Sequence, residues 1–213
     1  MVNKSEQTRR TYDAEGSKKA ILDAAEALFA EKGFEATSLQ EIAARAGLSR
    51  GTPGYFFGPK ERLYKAVLER TMTRAQDLLA LVHEQIRRPG VGAKEIMSVV
   101  IGRLFDDFVA HPNFIRITGW EALQGTRYLG DLPSQLQLLR EAVKVLQEEL
   151  GWQGDAEQFL IDMVALCWFP LGHAETFLKA LGIDASDPDF LAKYKQHIIT
   201  LLLERGDNAS KAV

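Results

Sequence analysis

Apolar positions along the chain recur at intervals of three and four residues, and no stretch alternates apolar with polar long enough to make a strand. The pattern predicts an all-α fold. Ala20, Ile21, Ala24, Ala25, Leu28 and Phe29 form one apolar stripe, which marks a first helix over Ser17–Lys32. Gly33 supplies a left-handed stop, with Phe34 as the apolar residue behind it. In the run T-S-L-Q-E-I, both Thr37…Gln40 and Ser38…Glu41 match a capping box, so a short second helix starts there. It ends at Ala46, with Gly47 as its stop. Ser49 is a natural N-cap for a third helix, and Gly58-Pro59 opens a fourth that runs to about Arg87. Helices are further expected at 92–110, 114–127, 133–150, 155–181 and 188–205, separated by Gly- and Pro-bearing breaks. The polar ends, 1–16 and 206–213, read as mobile.

One stretch resists this simple reading. SRGTPGYFFGPK, residues 49–60, packs two prolines and three glycines into a helical neighbourhood, a composition that a helix interior rejects. Two starts are open. If Ser49 caps the helix, Pro53 costs one intrahelical bond. If Thr52 caps it, Pro53 is the first helical residue, costs nothing, and leaves a helix of about one and a half turns. Three adjacent aromatics, Tyr55, Phe56 and Phe57, cannot all face one way.

Composition narrows the class. The chain has 213 residues, enough for one or two domains with a core. A single cysteine, Cys167, excludes a disulfide framework or a multi-cysteine metal site. The longest nearly apolar run, MVALCWFPL, falls far short of the ~20 residues a bilayer span needs. With no secretory signal at the start, the chain reads as soluble and cytoplasmic. Net charge is −3, but residues 1–75 hold 13 Lys and Arg against 10 Asp and Glu, while the remainder is acidic. A basic first third suits a phosphate-bearing partner. Within it, Ala43, Gly47 and Leu48 fall where a helix-turn-helix needs a small residue, a turn glycine and an apolar plug. Such a motif carries its second helix into the major groove.

The run ILDAAEALFAEKGFEATSLQEIAARAGLSRGTPGYFFGPKERLYKAVLE closely resembles the DNA-binding domain of TetR-type transcriptional regulators, contiguously over about 17–70. Over 71–213 the resemblance is architectural only. It implies a helix-turn-helix DNA-binding domain over 17–75, behind an N-terminal arm at 1–16, and an effector-binding and dimerisation domain over 76–213. It further implies a homodimer on a pseudo-palindromic duplex operator, released by a small-molecule effector. Arg50, Gly51 and Thr52 would form the first turn of the recognition helix, with Arg50 on a base or phosphate. Tyr55 would donate to a phosphate, and Lys60 would add its charge at the start of the fourth helix. The hydroxyls of Thr37 and Ser38 would assist. Pro53 and Gly54 depart from the family's usual aliphatic and aromatic residues, and that departure keeps a rival open: a ligand- or protein-binding module that has lost operator recognition.

In the C-terminal part, helix 155–181 is apolar nearly all round from Phe159 to Leu171, so it must be covered on both sides. Helix 188–205 also has a broad apolar face. The pair suggests a two-fold, four-helix dimer interface. Pro170 should free the Leu166 carbonyl. Around it cluster Met163, Cys167, Trp168 and His173. Phe105, Phe108, Arg116, Trp120 and Glu121 come from preceding helices, and the nine together are the effector-pocket candidates. No catalytic constellation, cofactor motif or metal-ligand spacing stands out, so no enzyme activity is expected.

Overall fold

The computed structural model describes residues 4–125, 128, 137, 140, 141, 144, 145, 147, 148 and 155–209. Among them the backbone is helical, with no strand. The helices are α1 (Lys4–Lys32), α2 (Leu39–Arg45), α3 (Thr52–Phe57), α4 (Lys60–Ile86), α5 (Ala93–Ala110), α6 (Pro112–Leu123), α7 (Ala156–Gly172) and α8 (Pro188–Ala209), with a π-helical turn at Ala174–Leu178. Several expectations change. Helix α1 begins at Lys4, so the arm expected at 1–16 is largely helical from residue 4, and α8 runs on to Ala209. The expected helix 155–181 is interrupted at His173. The expected helix 133–150 falls mostly outside the described residues.

The chain divides into two compact units, one of Met1–Thr71 with Arg116–Leu129, the other of Met72–Ile115 with Gly130–Val213. This differs from the expected division at residue 75, because 116–129 joins the first unit from far along the chain. Two side chains of α6 account for that. The Trp120 ring lies over Gly33 at the end of α1, and its indole N–H donates to the Ala30 carbonyl at 3.3 Å. Glu121, 1% exposed, accepts from the Tyr64 hydroxyl of α4 at 2.8 Å and from the Tyr128 amide at 3.0 Å. Burial, followed by the Glu121 carboxylate, pushes the Tyr64 phenol well above its ordinary value. Tyr64 in turn meets Phe29 edge-on and packs against Phe34. Ile21, Ala25, Ile42, Leu63 and Val67 complete this core, each large apolar side chain contributing about 1.5–3 kcal/mol by its burial.

In the second unit, α5, α7 and α8 bury Ile96, Ile101, Phe105, Met163, Cys167, Ile198 and Leu202 together. Pro170 does free the Leu166 carbonyl, and the Tyr194 hydroxyl of α8 fills the vacancy at 3.0 Å. Asp155 caps α7, accepting from the amides of Glu157 and Gln158. Lys195 pairs with Asp106 at 2.8 Å, joining α8 to α5.

Gly33 carries two demands at once. Its φ is +76°, and a Cβ there would sit 3.1 Å from the Trp120 ring. Gly33→Ala is therefore expected to lower unfolding free energy by about 2 kcal/mol. Urea denaturation measures this, and a loss below a few tenths would contradict the packing described.

Candidate nucleic-acid interface

The candidate interface is assembled from α1 to α4. Of the two candidate capping boxes, Ser38–Glu41 forms: the Ser38 hydroxyl accepts from the Glu41 amide at 3.3 Å, and the Glu41 carboxylate accepts from the Ser38 amide at 2.9 Å. Thr37 turns the other way. Its buried hydroxyl donates to the Gly33 carbonyl at 2.8 Å and lies 3.3 Å from that of Leu28, closing the end of α1. At the far end of α2, Gly47 takes φ +69°, and the Leu48 amide reaches back to the Ala43 carbonyl at 2.9 Å. With the Gly47 amide on the Ala44 carbonyl, this is a Schellman ending. Ala43 is buried beneath the turn, where a larger side chain would separate the two helices.

The start of α3 falls between the two expected caps. Gly51 occupies the N-cap, Thr52 is the first helical residue and Pro53 the second. The first helical bond runs from the Tyr55 amide to the Gly51 carbonyl at 3.0 Å. Pro53 sits where no helical acceptor exists for an amide, so its missing N–H costs nothing, and its ring is buried. Ser49 still contributes, because its carbonyl accepts from the Thr52 amide and its hydroxyl lies 2.6 Å from that of Thr52. The helix is six residues long, close to the short option. Gly58, at φ +76°, turns the chain into α4.

What α3 presents is unusual. Tyr55 is 84% exposed, its ring braced edge-on by Phe56 at 5.2 Å. Beyond the adjacent residues and the helix's own backbone, Gly51 and Gly54 have no protein atom within 4 Å of where a Cβ would lie, and neither has a positive φ. Arg50 is exposed, and its guanidinium donates to the side-chain oxygen of Gln40 on α2. Lys60 points inward: its ammonium donates to the carbonyls of Phe34 and Thr37, each at 2.8 Å, and lies 3.4 Å from that of Glu35. It also sits 4.2 Å from the centre of the Phe34 ring. That employment differs from the expected phosphate contact. Gln40, absent from the expected contacts, was visible in sequence only as a capping-box partner.

Of the nine effector-pocket candidates, Phe105, Phe108, Met163, Cys167 and Trp168 share one apolar cluster of the second unit. Phe105, Phe108, Met163 and Cys167 are close-packed core. Burial pushes the Cys167 thiol up to about 12, so at neutral pH it is a protonated apolar filler. Trp168 packs between Phe108 and Phe114, 5.7 Å from each. His173 is exposed at the end of α7, stacked on Phe169 at 4.4 Å. Arg116, Trp120 and Glu121 belong to the first unit. A cavity of about 410 Å³ opens beside α7, lined by Arg140, Glu157, Leu160, Ile161, Val164 and Ala165. No helix among the described residues is long and apolar enough to cross a membrane.

Comparison with known proteins follows this geometry. Residues 21–67 match the model of the N-terminal domain of bacterial regulatory proteins of the tetR family, and residues 94–202 match a tetracyclin repressor-like C-terminal domain. The chain is 42% identical over 204 residues to the HTH-type transcriptional regulator RutR of Escherichia coli, covering 92% of this chain and 93% of that one. It is 26% identical over 211 residues to the HTH-type transcriptional repressor NicS of Pseudomonas putida, covering 92% and 97%. A TetR-like transcriptional regulator from a Rhodococcus species superimposes with a TM-score of 0.62 at 22% identity, covering 89% of this chain and 94% of that one.

Lys32 and then Ser38 donate hydrogen bonds to Glu41 and draw its carboxyl from 4.5 down to about 2. The sign follows from the depressed value. Its contribution is complete above the unfolded value of 4.5 and is lost as pH falls through about 2. Acid titration is expected to loosen the start of α2 in that window, and Glu41→Gln to remove the pH dependence. Amide exchange at Ser38 and Glu41 reads it out.

Proposed function

The chain belongs to the tetR family of bacterial regulatory proteins, and on that premise we propose that it is a homodimeric, cytoplasmic repressor whose paired α3 helices read a pseudo-palindromic operator. It is a DNA-binding transcriptional regulator, and family members take small-molecule effectors as well as DNA. The observation that carries the reading is the open backbone of α3. A helical glycine costs about 1 kcal/mol against alanine, and nothing beyond the adjacent residues and the helix's own backbone fills the space at Gly54. The fold does not require glycine there; a duplex approaching the backbone closely does. Tyr55 beside it offers a hydroxyl to a phosphate, a contact that positions without specifying. Arg50 offers donors to a base edge. Thr37, Ser38 and Lys60 serve from behind, holding the turn between α1 and α2. Pro53, at a position that needs no amide, gives little support to the rival module without operator recognition.

Gly54→Ala separates fold from function. Thermal unfolding is expected to rise, by about 0.5–1 kcal/mol in stability, while affinity for DNA selected from a random pool falls about tenfold or more. Wild-type affinity in the stabilised variant would contradict the proposal. Tyr55→Phe is expected to weaken all sequences evenly, with no change in the selected site.

The dimer rests on a bare row. Ile161, Ala165, Phe169, His173, Phe177 and Leu181 recur at four-residue spacing, and all are exposed in the single chain. Phe169 and Phe177 meet edge-on at 5.5 Å. A row this apolar on a chain of this size fits a two-fold partner surface. Helix α8 buries Ile198, Ile199 and Leu202 in its own unit, so the α7 row supplies most of the contact. An effector held in the second unit would act by binding one dimer state more tightly than the other. Phe169→Glu is expected to give a monomer by light scattering and to abolish operator binding at concentrations where the wild type is saturated. A dimer in the variant would move the interface elsewhere.

A further inference from the structure

The partner of Arg50 differs in kind from the carboxylates that hold three nearby cations. Arg45 pairs with Glu31, Lys32 with Glu41, and Arg70 with Asp23 and Glu26. Arg50 instead donates through Nη2 to the amide oxygen of Gln40. The two residues are ten apart, one in the first turn of α2 and the other in the lead-in to α3, and both are exposed. A carboxylate partner would hold the guanidinium but cancel its charge and repel phosphates. An amide oxygen holds it and leaves the full charge in place.

The donor arithmetic agrees. A guanidinium carries five N–H donors in a planar fork. Gln40 uses one on Nη2, and the guanidinium keeps four further donors, enough for a bidentate contact to O6 and N7 of guanine. A free arginine side chain carries substantial rotamer entropy, which a hydrogen bond already made in the unbound protein reduces in advance. From these observations we propose that Gln40 is a positioning residue for base readout: its amide oxygen orients Arg50 toward a guanine edge without neutralising it. The proposal rests on the reading of Arg50 as a base contact.

The test is selection of bound sequences from random duplex DNA with the wild type, Gln40→Ala, Arg50→Ala and the double variant, each checked for native thermal unfolding. Both single variants are expected to lose preference for guanine at the same base pair of each half-site, by about tenfold. The double variant should be no worse than Arg50→Ala, as coupled residues require. Gln40→Glu, which keeps the acceptor and cancels the charge, should retain the preference while lowering the salt slope of binding by about one. The proposal falls if Gln40→Ala alters a different base pair, since Gln40 would then read DNA itself, or if the two losses add. It also falls if Gln40→Ala is silent while Arg50→Ala shifts a position, which leaves the Arg50 contact standing. If Arg50→Ala shifts no position, the base contact itself is wrong.

Discussion

Where the chain leaves α1 and enters α2, one ammonium group holds the corner. Lys60 directs its donors at the carbonyls of Phe34, Glu35 and Thr37, with the Phe34 ring beside it. These carbonyls belong to the tight turn between α1 and α2, where the Phe34 carbonyl also accepts from the Thr37 amide at 3.3 Å, and polar groups in such a turn are expensive to leave unpaired. The same lysine opens α4 directly after Gly58 ends α3. It therefore ties the residue following the recognition helix to the residues preceding α2. The position of α3 depends on this closure, because a six-residue helix has too few internal bonds to hold itself.

The surroundings compensate for that weak element. Pro53 anchors α3 from beneath, the Schellman ending sets the angle from α2, and Phe56 braces Tyr55. Further out, Trp120 and Glu121 bring a segment of α6 onto α1 and α4. Stability is thus concentrated in the frame and withheld from α3, the surface proposed to meet DNA. The open Gly54 inside the helix is the clearest sign of that allocation.

Much of this was legible in the sequence because it is local. The stops at Gly33 and Gly47, the Ser38–Glu41 box and the carbonyl freed by Pro170 each follow from residues within four positions of one another. The start of α3 was bracketed and missed by one residue, since Gly51 caps it with backbone alone and offers no side-chain signal. Placement of Trp120 and Glu121 was not legible. Tyr64 and Glu121 lie 57 residues apart, and an apolar and an acidic residue on a helix read equally well as pocket lining. The inward contacts of Lys60 were not legible for a similar reason, because its carbonyl partners lie 23 to 26 residues earlier. The break at His173 does have a local cue, since Pro170 and Gly172 lie just before it.

The central claim is that two copies of a short, backbone-exposing helix read DNA together. Hydroxyl-radical footprinting of the purified protein on its selected duplex tests it most directly. The account predicts two protected windows related by a dyad, their centres separated by one helical turn, about 34–36 Å, or a multiple of it. A single window without dyad symmetry, or uniform protection independent of sequence, would contradict it.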